Sequence, residues 1–310
     1  MGIRPEVIEQ VAYELHRRAA IVLPQDARRS IQHMCARETH KLSKFVFLEI
    51  IENFQIAENE SRPLCADTGL PRFYVKCGNE AVIEGGFVAL ERSLRRATAS
   101  ATREIPLRPN RVHPLTRKDP DNNVGAHAPS VDYSFEPDAA WLDITTVHKG
   151  GLFGSDYRML FPADGIPGIK RFFLDAMSEF FRRGLSCQPA VVGVGIGGSK
   201  DVCFRLGKEA ACLRLVGDRH PDPHIARLEE ELLALGNEAG FGPMGFRGDN
   251  SIMDVHVEIA YTHTGGLPVS VHHFCFAMRR ATARIYADNS VEYREDPQWF
   301  TPYYRREGID

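Results

Sequence analysis

No stretch of this 310-residue chain approaches the roughly 18 uncharged apolar residues that a membrane helix needs; the best run, Pro189 to Gly198, is short and rich in glycine. A soluble protein without a membrane partner is expected. The first residues carry Arg4, Glu6, Glu9 and Glu14 and no apolar block, so no signal peptide is read there and a cytoplasmic location is predicted. Charge of one sign is not in excess either. With 38 basic and 41 acidic side chains and a net charge of −3, the chain has no basic surplus to hold nucleic acid. Cysteine is sparse: seven residues, odd in number and scattered, with no C-x-x-C pair, unlike a secreted disulfide framework. Reduced thiols are expected, some of them available to metal.

What is present is an ordinary globular composition, 43% apolar, which supplies ample material for a core. Apolar residues at helical spacing predict three helices between Pro5 and Glu58. Next comes a polar loop, Cys65-Ala66-Asp67-Thr68-Gly69, then a strand over 72–76 and a helix over 86–102. Residues 106–137 are dense in Pro, Asn, Asp and His with little periodicity, and a structureless stretch of that length in a compact protein is usually functional. Beyond it, strands are predicted over 141–147, 190–194, 254–261 and 269–274, and helices over 166–183, 199–213 and 223–235. A hairpin is expected over 284–293, turning at Asp288-Asn289. The expected fold class is mixed α+β: a helical N-terminal segment (1–58), a region of mixed sheets surrounded by helices (59–285) and a tail (286–310), forming one domain.

Gly193-Val194-Gly195-Ile196-Gly197-Gly198 follows an apolar strand and opens a helix, with Asp218 at the spacing of a ribose-binding acid. A dinucleotide-dependent oxidoreductase is one reading. Another is an anion site at the helix N-terminus, and a third is close helix–strand packing that only glycine permits. The stretch from Leu213 to Asp222 breaks into a turn instead of forming the second strand that a Rossmann unit requires. Cys65, Cys187 and Cys275 lie at element boundaries, where a thiolate could face a cleft. Cys35, Cys203 and Cys212 sit in amphipathic helices as small hydrophobes, and Cys77 closes a strand.

Taken in order, Cys65-Ala66-Asp67-Thr68-Gly69, Lys149-Gly150-Gly151, Gly184-Leu185-Ser186-Cys187-Gln188-Pro189 and His263-Thr264-Gly265-Gly266-Leu267-Pro268, leading to Cys275 and Arg279-Arg280, resemble the class I fumarase and tartrate dehydratase family. The likeness covers about Pro5 to Tyr286 and is nearest to the separate α subunits. It implies an oxygen-sensitive [4Fe-4S] cluster held by Cys65, Cys187 and Cys275. One iron is then left open as a Lewis acid for removing water from a C4 hydroxy-dicarboxylate. The same resemblance implies catalytic roles for Asp67, His263 and Lys149 and substrate contacts at Ala66, Arg117 and Gly151. Taken alone, Asp67 could equally be an Asx-turn residue of its own loop.

The chain also departs from the family pattern. Ala66 stands where fumarases commonly have glutamine, and Leu152-Phe153-Gly154-Ser155 replaces the usual run after Lys149-Gly150-Gly151. These differences favour L-tartrate, converted to oxaloacetate, over malate and fumarate. The sequence ends near Asp310, without the C-terminal domain of one-chain members, which implies a separate β subunit and an α2β2 assembly. A non-catalytic subunit that has kept the fold is the remaining alternative.

Overall fold

The computed structural model describes residues 2–105, 107–150, 154–184 and 187–300. It divides into two compact units, between which the chain passes after Pro24, within one helix after Asn53, after Gly150 and after Met278. The mixed α+β class is as expected.

The first unit comprises Met1–Pro24, Phe54–Gly150 and Arg279–Asp310. Its sheet has the order β2-β1-β3-β8-β9, from β1 (Leu70–Gly78), β2 (Ser130–Glu136), β3 (Trp141–Lys149), β8 (Arg280–Tyr286) and β9 (Val291–Arg294). β1 and β2 run parallel, and the other neighbours are antiparallel. One face is apolar. Phe73, Val75, Leu142, Ile144, Ala283 and Ile285 pack with Ile8, Val11 and Leu15 of α1 (Pro5–Ile21) and with Leu90, Leu94 and Ala97 of α4 (Gly86–Glu104). Pro5 opens α1, where its missing N–H costs nothing.

The opposite face of this sheet is polar yet buried. Arg284 grips Asp143 through two bonds of 2.7 Å, Lys76 donates to the Gln298 carbonyl, and Trp299 meets Tyr74 edge-on at 5.3 Å. Burial on both faces explains why β1 is buried along nearly its whole length.

The stretch read as lacking regular structure over 106–137 is corrected at its end, where β2 forms. Val131, Tyr133 and Phe135 alternate with Asp132, Ser134 and Glu136, a period of two that the surrounding turn residues obscure. β4 (Ser155–Leu160) is a second strand without a predicted counterpart.

The second unit comprises Gln25–Asn53 and Gly151–Met278. It holds α2 (Gln25–Arg37) and the start of α3 (Lys41–Asn59), along with α5 (Gly165–Arg182), α6 (Lys200–Leu213) and α7 (Pro223–Glu238). Its sheet has the order β4-β7-β5-β6, with β5 (Ala190–Gly197), β6 (Ile252–Ala260) and β7 (Leu267–Phe274). Phe172, Phe173, Met177 and Phe180 of α5 and Leu232 of α7 pack on Val192, Val194, Val255, Val257, Val269 and Val271.

α6 packs against β5 at very close range. A Cβ on Gly193 would stand 2.0 Å from the Gly207 carbonyl oxygen, and one on Gly195 would stand 2.0 Å from that of Cys203. The glycine run is therefore a packing stripe. Ser199 precedes the helix and bonds Asp201, so the helix N-terminus already has a carboxylate of its own. Asp218 lies in a turn, where it accepts from Arg214 Nε at 2.9 Å, and is not at a strand end as a ribose-binding acid would be.

Candidate active site

In the first unit the residues of interest gather around the loop that carries Cys65, Ala66 and Asp67. Gly69 has φ +82, and a Cβ there would stand 2.6 Å from the His148 carbonyl oxygen and 3.1 Å from the Gly150 nitrogen. Only glycine lets this loop lie against the end of β3. Through the β1–β3 ladder, Leu70 pairs with Lys149.

Asp67 is half-buried, and its Oδ1 accepts from the Gly69 N–H at 3.1 Å, an Asx turn, and from Asn110 Nδ2 at 2.7 Å. Among the described residues no donor is bonded to Oδ2. That oxygen points toward Gly150, 3.5 Å from where a Cβ would be, and the Arg279 guanidinium lies 2.6 Å from the same point. Arg279 is buried, with its Nε donating to the His148 carbonyl at 3.1 Å. A carboxylate with one tethered and one open oxygen thus faces a backbone without a side chain, beside a buried cation.

The Asx-turn and functional readings of Asp67 prove compatible, because they use different oxygens. Ala66 is exposed on the same loop. Arg117 is in an exposed turn at φ +60, where its N–H donates to the His113 carbonyl. The bonds to the Asp67 loop come instead from residues 108–111. The Arg108 N–H donates to Thr68 Oγ1 at 2.8 Å, Asn110 holds Asp67, and Arg111 Nη2 donates to the Pro71 carbonyl at 2.7 Å. Burial and nearby Arg72 lower the Arg111 pKa from its usual value. These contacts join residues some forty positions apart, so no spacing rule could have found them. Gly151 lies outside the described residues.

Behind this loop, His16 and His148 form a fully buried pair, His16 Nδ1 to His148 Nε2 at 2.7 Å. Thr98 donates its hydroxyl to the Leu94 carbonyl and so accepts from His16 Nε2 at 3.0 Å. His16 Nδ1 is then an acceptor, and His148 donates to it. Burial pulls the His16 pKa down to about 3, and burial, then the charges of His16 and Arg279, hold His148 well below the ordinary histidine value. Both rings are neutral in the folded chain.

The unfolded chain takes up these two protons near pH 6.5, so acid favours unfolding. Stability is expected to fall as pH drops from about 6.5 toward 3, by up to about 1.4 kcal/mol per pH unit for each histidine. Urea unfolding between pH 7 and 4.5 measures the slope, and His16→Gln should flatten it. An unchanged slope in that variant would remove the pair from the account.

In the second unit, Cys187 and Cys275 lie at the same end of the sheet. Cys187 precedes β5 and Cys275 follows β7, Val191 pairs with Phe274, and the Phe276 N–H donates to the Cys187 carbonyl at 3.4 Å. β4 begins at this end, with the His273 N–H on the Gly154 carbonyl at 2.7 Å and Ser155 Oγ 2.9 Å from His272 Nδ1. His263 occupies the other end. It precedes β7 and folds back on its own loop, its Nδ1 accepting from the Gly265 N–H at 3.0 Å. The eight-residue strand separates the two ends by roughly 23 Å. His263 is therefore not beside the Cys275 of its own chain.

None of the seven cysteines is in a disulfide. Cys65, Cys187 and Cys275 are half-buried, whereas the other four are buried. Burial raises the thiol pKa of Cys35 and Cys77 and pushes Cys203 up to about 11, which disfavours the thiolate form that metals bind. Cys65, Cys187 and Cys275 are thus the less buried thiols of the seven. No convergence of three His, Cys, Asp or Glu side chains into a metal-ion site is found among the described residues. Likewise, no described helix is long and apolar enough to cross a membrane.

The similarities of the chain place it among the hydro-lyases. The chain belongs to the fumarate hydratase (Fumerase) family, whose profile matches residues 9–284. It is 41% identical over 286 residues to a putative L(+)-tartrate dehydratase subunit alpha of Methanocaldococcus jannaschii, covering 91% of this chain and 98% of that protein. It is 33% identical over 272 residues to the L(+)-tartrate dehydratase subunit alpha of Escherichia coli strain UTI89, covering 87% and 88%.

Proposed function

We propose that this chain is the cluster-bearing α subunit of an oxygen-sensitive [4Fe-4S] hydro-lyase. Its favoured reaction is the removal of water from L-tartrate to give oxaloacetate, with malate and fumarate as the lesser pair. A separate β subunit completes the enzyme, as α2β2, in the cytoplasm. The observation that carries the reading is the state of Asp67: one oxygen held by two donors and the other open beside Gly150 and Arg279.

Cys65, Cys187 and Cys275 would hold the cluster, and their partial burial, in contrast to the four buried thiols, supports that choice. When bound, the cluster supplies an iron without a protein ligand, a Lewis acid that assists departure of the substrate hydroxyl. Asp67 Oδ2 exchanges the proton, while its Oδ1 stays tethered. Gly150 leaves room for the Arg279 guanidinium beside Asp67, and Lys149 and Arg279 furnish positive charge for a dicarboxylate. Gly151 extends that loop. Ala66 leaves room on the same loop where a longer side chain would project toward a substrate. Arg117, exposed in its own turn, would offer a forked cation to a substrate carboxylate, while the 108–111 segment holds the Asp67 loop. His263, a strand's length from Cys275, is assigned to a site completed by another α chain. Seven cysteines, none of them in a disulfide, fit a reducing compartment.

The test is iron and acid-labile sulfide on chain purified without oxygen, followed by assay with L-tartrate and the β subunit. About four irons per chain are expected, with little turnover until β is added. Absence of iron under anoxia would overturn the cluster reading, and full activity of α alone would overturn the separate-subunit reading.

A further inference from the structure

We infer that Asn110 is the positioning residue for Asp67, and that Asn123 in turn sets Asn110. The inference rests on the proposed role of Asp67 as the proton-exchanging carboxylate. An Asx turn alone holds an aspartate by one bond, from Gly69 N–H to Oδ1 at 3.1 Å. Asn110 adds a second to the same oxygen, at 2.7 Å, and its Nδ2 also reaches the Gly69 carbonyl at 3.0 Å. Both amide hydrogens are thereby engaged, so the Asn110 amide cannot turn without losing a bond. Its effect on Asp67 is selective: Oδ1 is saturated by two donors, and Oδ2 alone remains able to take a proton.

Asn110 is itself held from behind. Asn123 is fully buried, with its backbone in the left-handed region at φ +57, which asparagine tolerates better than most residues. Its Oδ1 accepts from the N–H groups of Asn110 at 3.0 Å and Arg111 at 3.3 Å. Its Nδ2 donates to Thr102 Oγ1 at 3.1 Å and to the Arg108 carbonyl at 3.0 Å. All four bonding positions of that amide are filled. Thr102, in α4, donates to the Thr98 carbonyl at 2.7 Å. The carboxylate on an open loop is thus anchored to a helix through two asparagines, an arrangement that fixes which oxygen meets the substrate.

A double-mutant cycle on the assembled α and β subunits tests this. Asn110→Ala is expected to lower kcat about 30-fold, with KM for L-tartrate within about 3-fold and iron per chain unchanged, because it loosens the geometry of the base and not the binding of substrate. In an Asp67→Asn background the same change should cost less than about 2-fold, since there is no base left to position. Equal costs in both backgrounds would overturn the inference while leaving the role of Asp67 intact. An Asp67→Asn variant that keeps full activity would overturn the role of Asp67, and the inference with it.

A second measurement does not depend on activity or on the folding of any Asn110 variant. In the full-length chain labelled with 15N-asparagine, the side-chain NH2 pair of Asn110 should shift on Asp67→Asn. A pair that stays in place would refute the contact.

Discussion

Replacing Cys65, Cys187 or Cys275 by serine is expected to lower the activity of the assembled enzyme by more than about 1,000-fold, with loss of iron, because a Lewis acid contributes several kcal/mol to the departure of hydroxide. The prediction is selective. Cys203 is fully buried in α6, donates to the Gly195 carbonyl at 3.2 Å and has its thiol pKa raised to about 11. Cys203→Ala should therefore cost stability and leave iron in place, and the same holds for Cys35, Cys77 and Cys212, which are also buried. Iron per chain and turnover, measured on all seven single variants prepared without oxygen, separate the two groups. Iron retained in the Cys65, Cys187 and Cys275 variants would show that the element-boundary cysteines are not the ligands.

The second large effect is expected at Asp67. Asparagine keeps the shape of the side chain, and its carbonyl oxygen can still accept from the Gly69 N–H and from Asn110, so the loop should hold. Its amide nitrogen then occupies the place of Oδ2 and cannot take up a proton. Asp67→Asn is expected to reduce kcat by about 100- to 10,000-fold, the usual worth of a general base, with unfolding temperature and iron content near those of the unsubstituted enzyme. Steady-state kinetics with L-tartrate decides the matter. Activity within tenfold of the parent would move the base to another residue, on this chain or on the β subunit.

Much of the fold was legible in the chain itself. The helices α1 to α7 follow from apolar periodicity, with Pro5 opening α1 and Gly184, at φ +60, following the end of α5. β2 carries the alternation of a strand, but the Pro- and Asn-rich residues before it dominate the local texture. β4 is short, and its residues Ser155-Asp156-Tyr157-Arg158-Met159-Leu160 include no β-branched side chain to mark a strand. At the candidate site, the Cys65 to Gly69 loop and Lys149-Gly150 were visible as motifs. Arg117 came from the family resemblance, whereas nothing in the sequence marks Arg108, Asn110 and Arg111 as the residues bonded to the Asp67 loop and the strand after it.

The alternation of helices and strands, the spacing of the thiols and the family to which the chain belongs all depend on residue type and order along one chain, and can be read there. Only the tertiary structure decided that the Gly193 to Gly198 run serves helix packing, that Cys187 and Cys275 share one end of a sheet while His263 takes the other, and that Asn110 holds Asp67. Each of those outcomes depends on which distant segments meet. A hydrogen bond of 2.7 Å between residues 43 positions apart is set by how helices and strands pack, and local propensity carries no information about it.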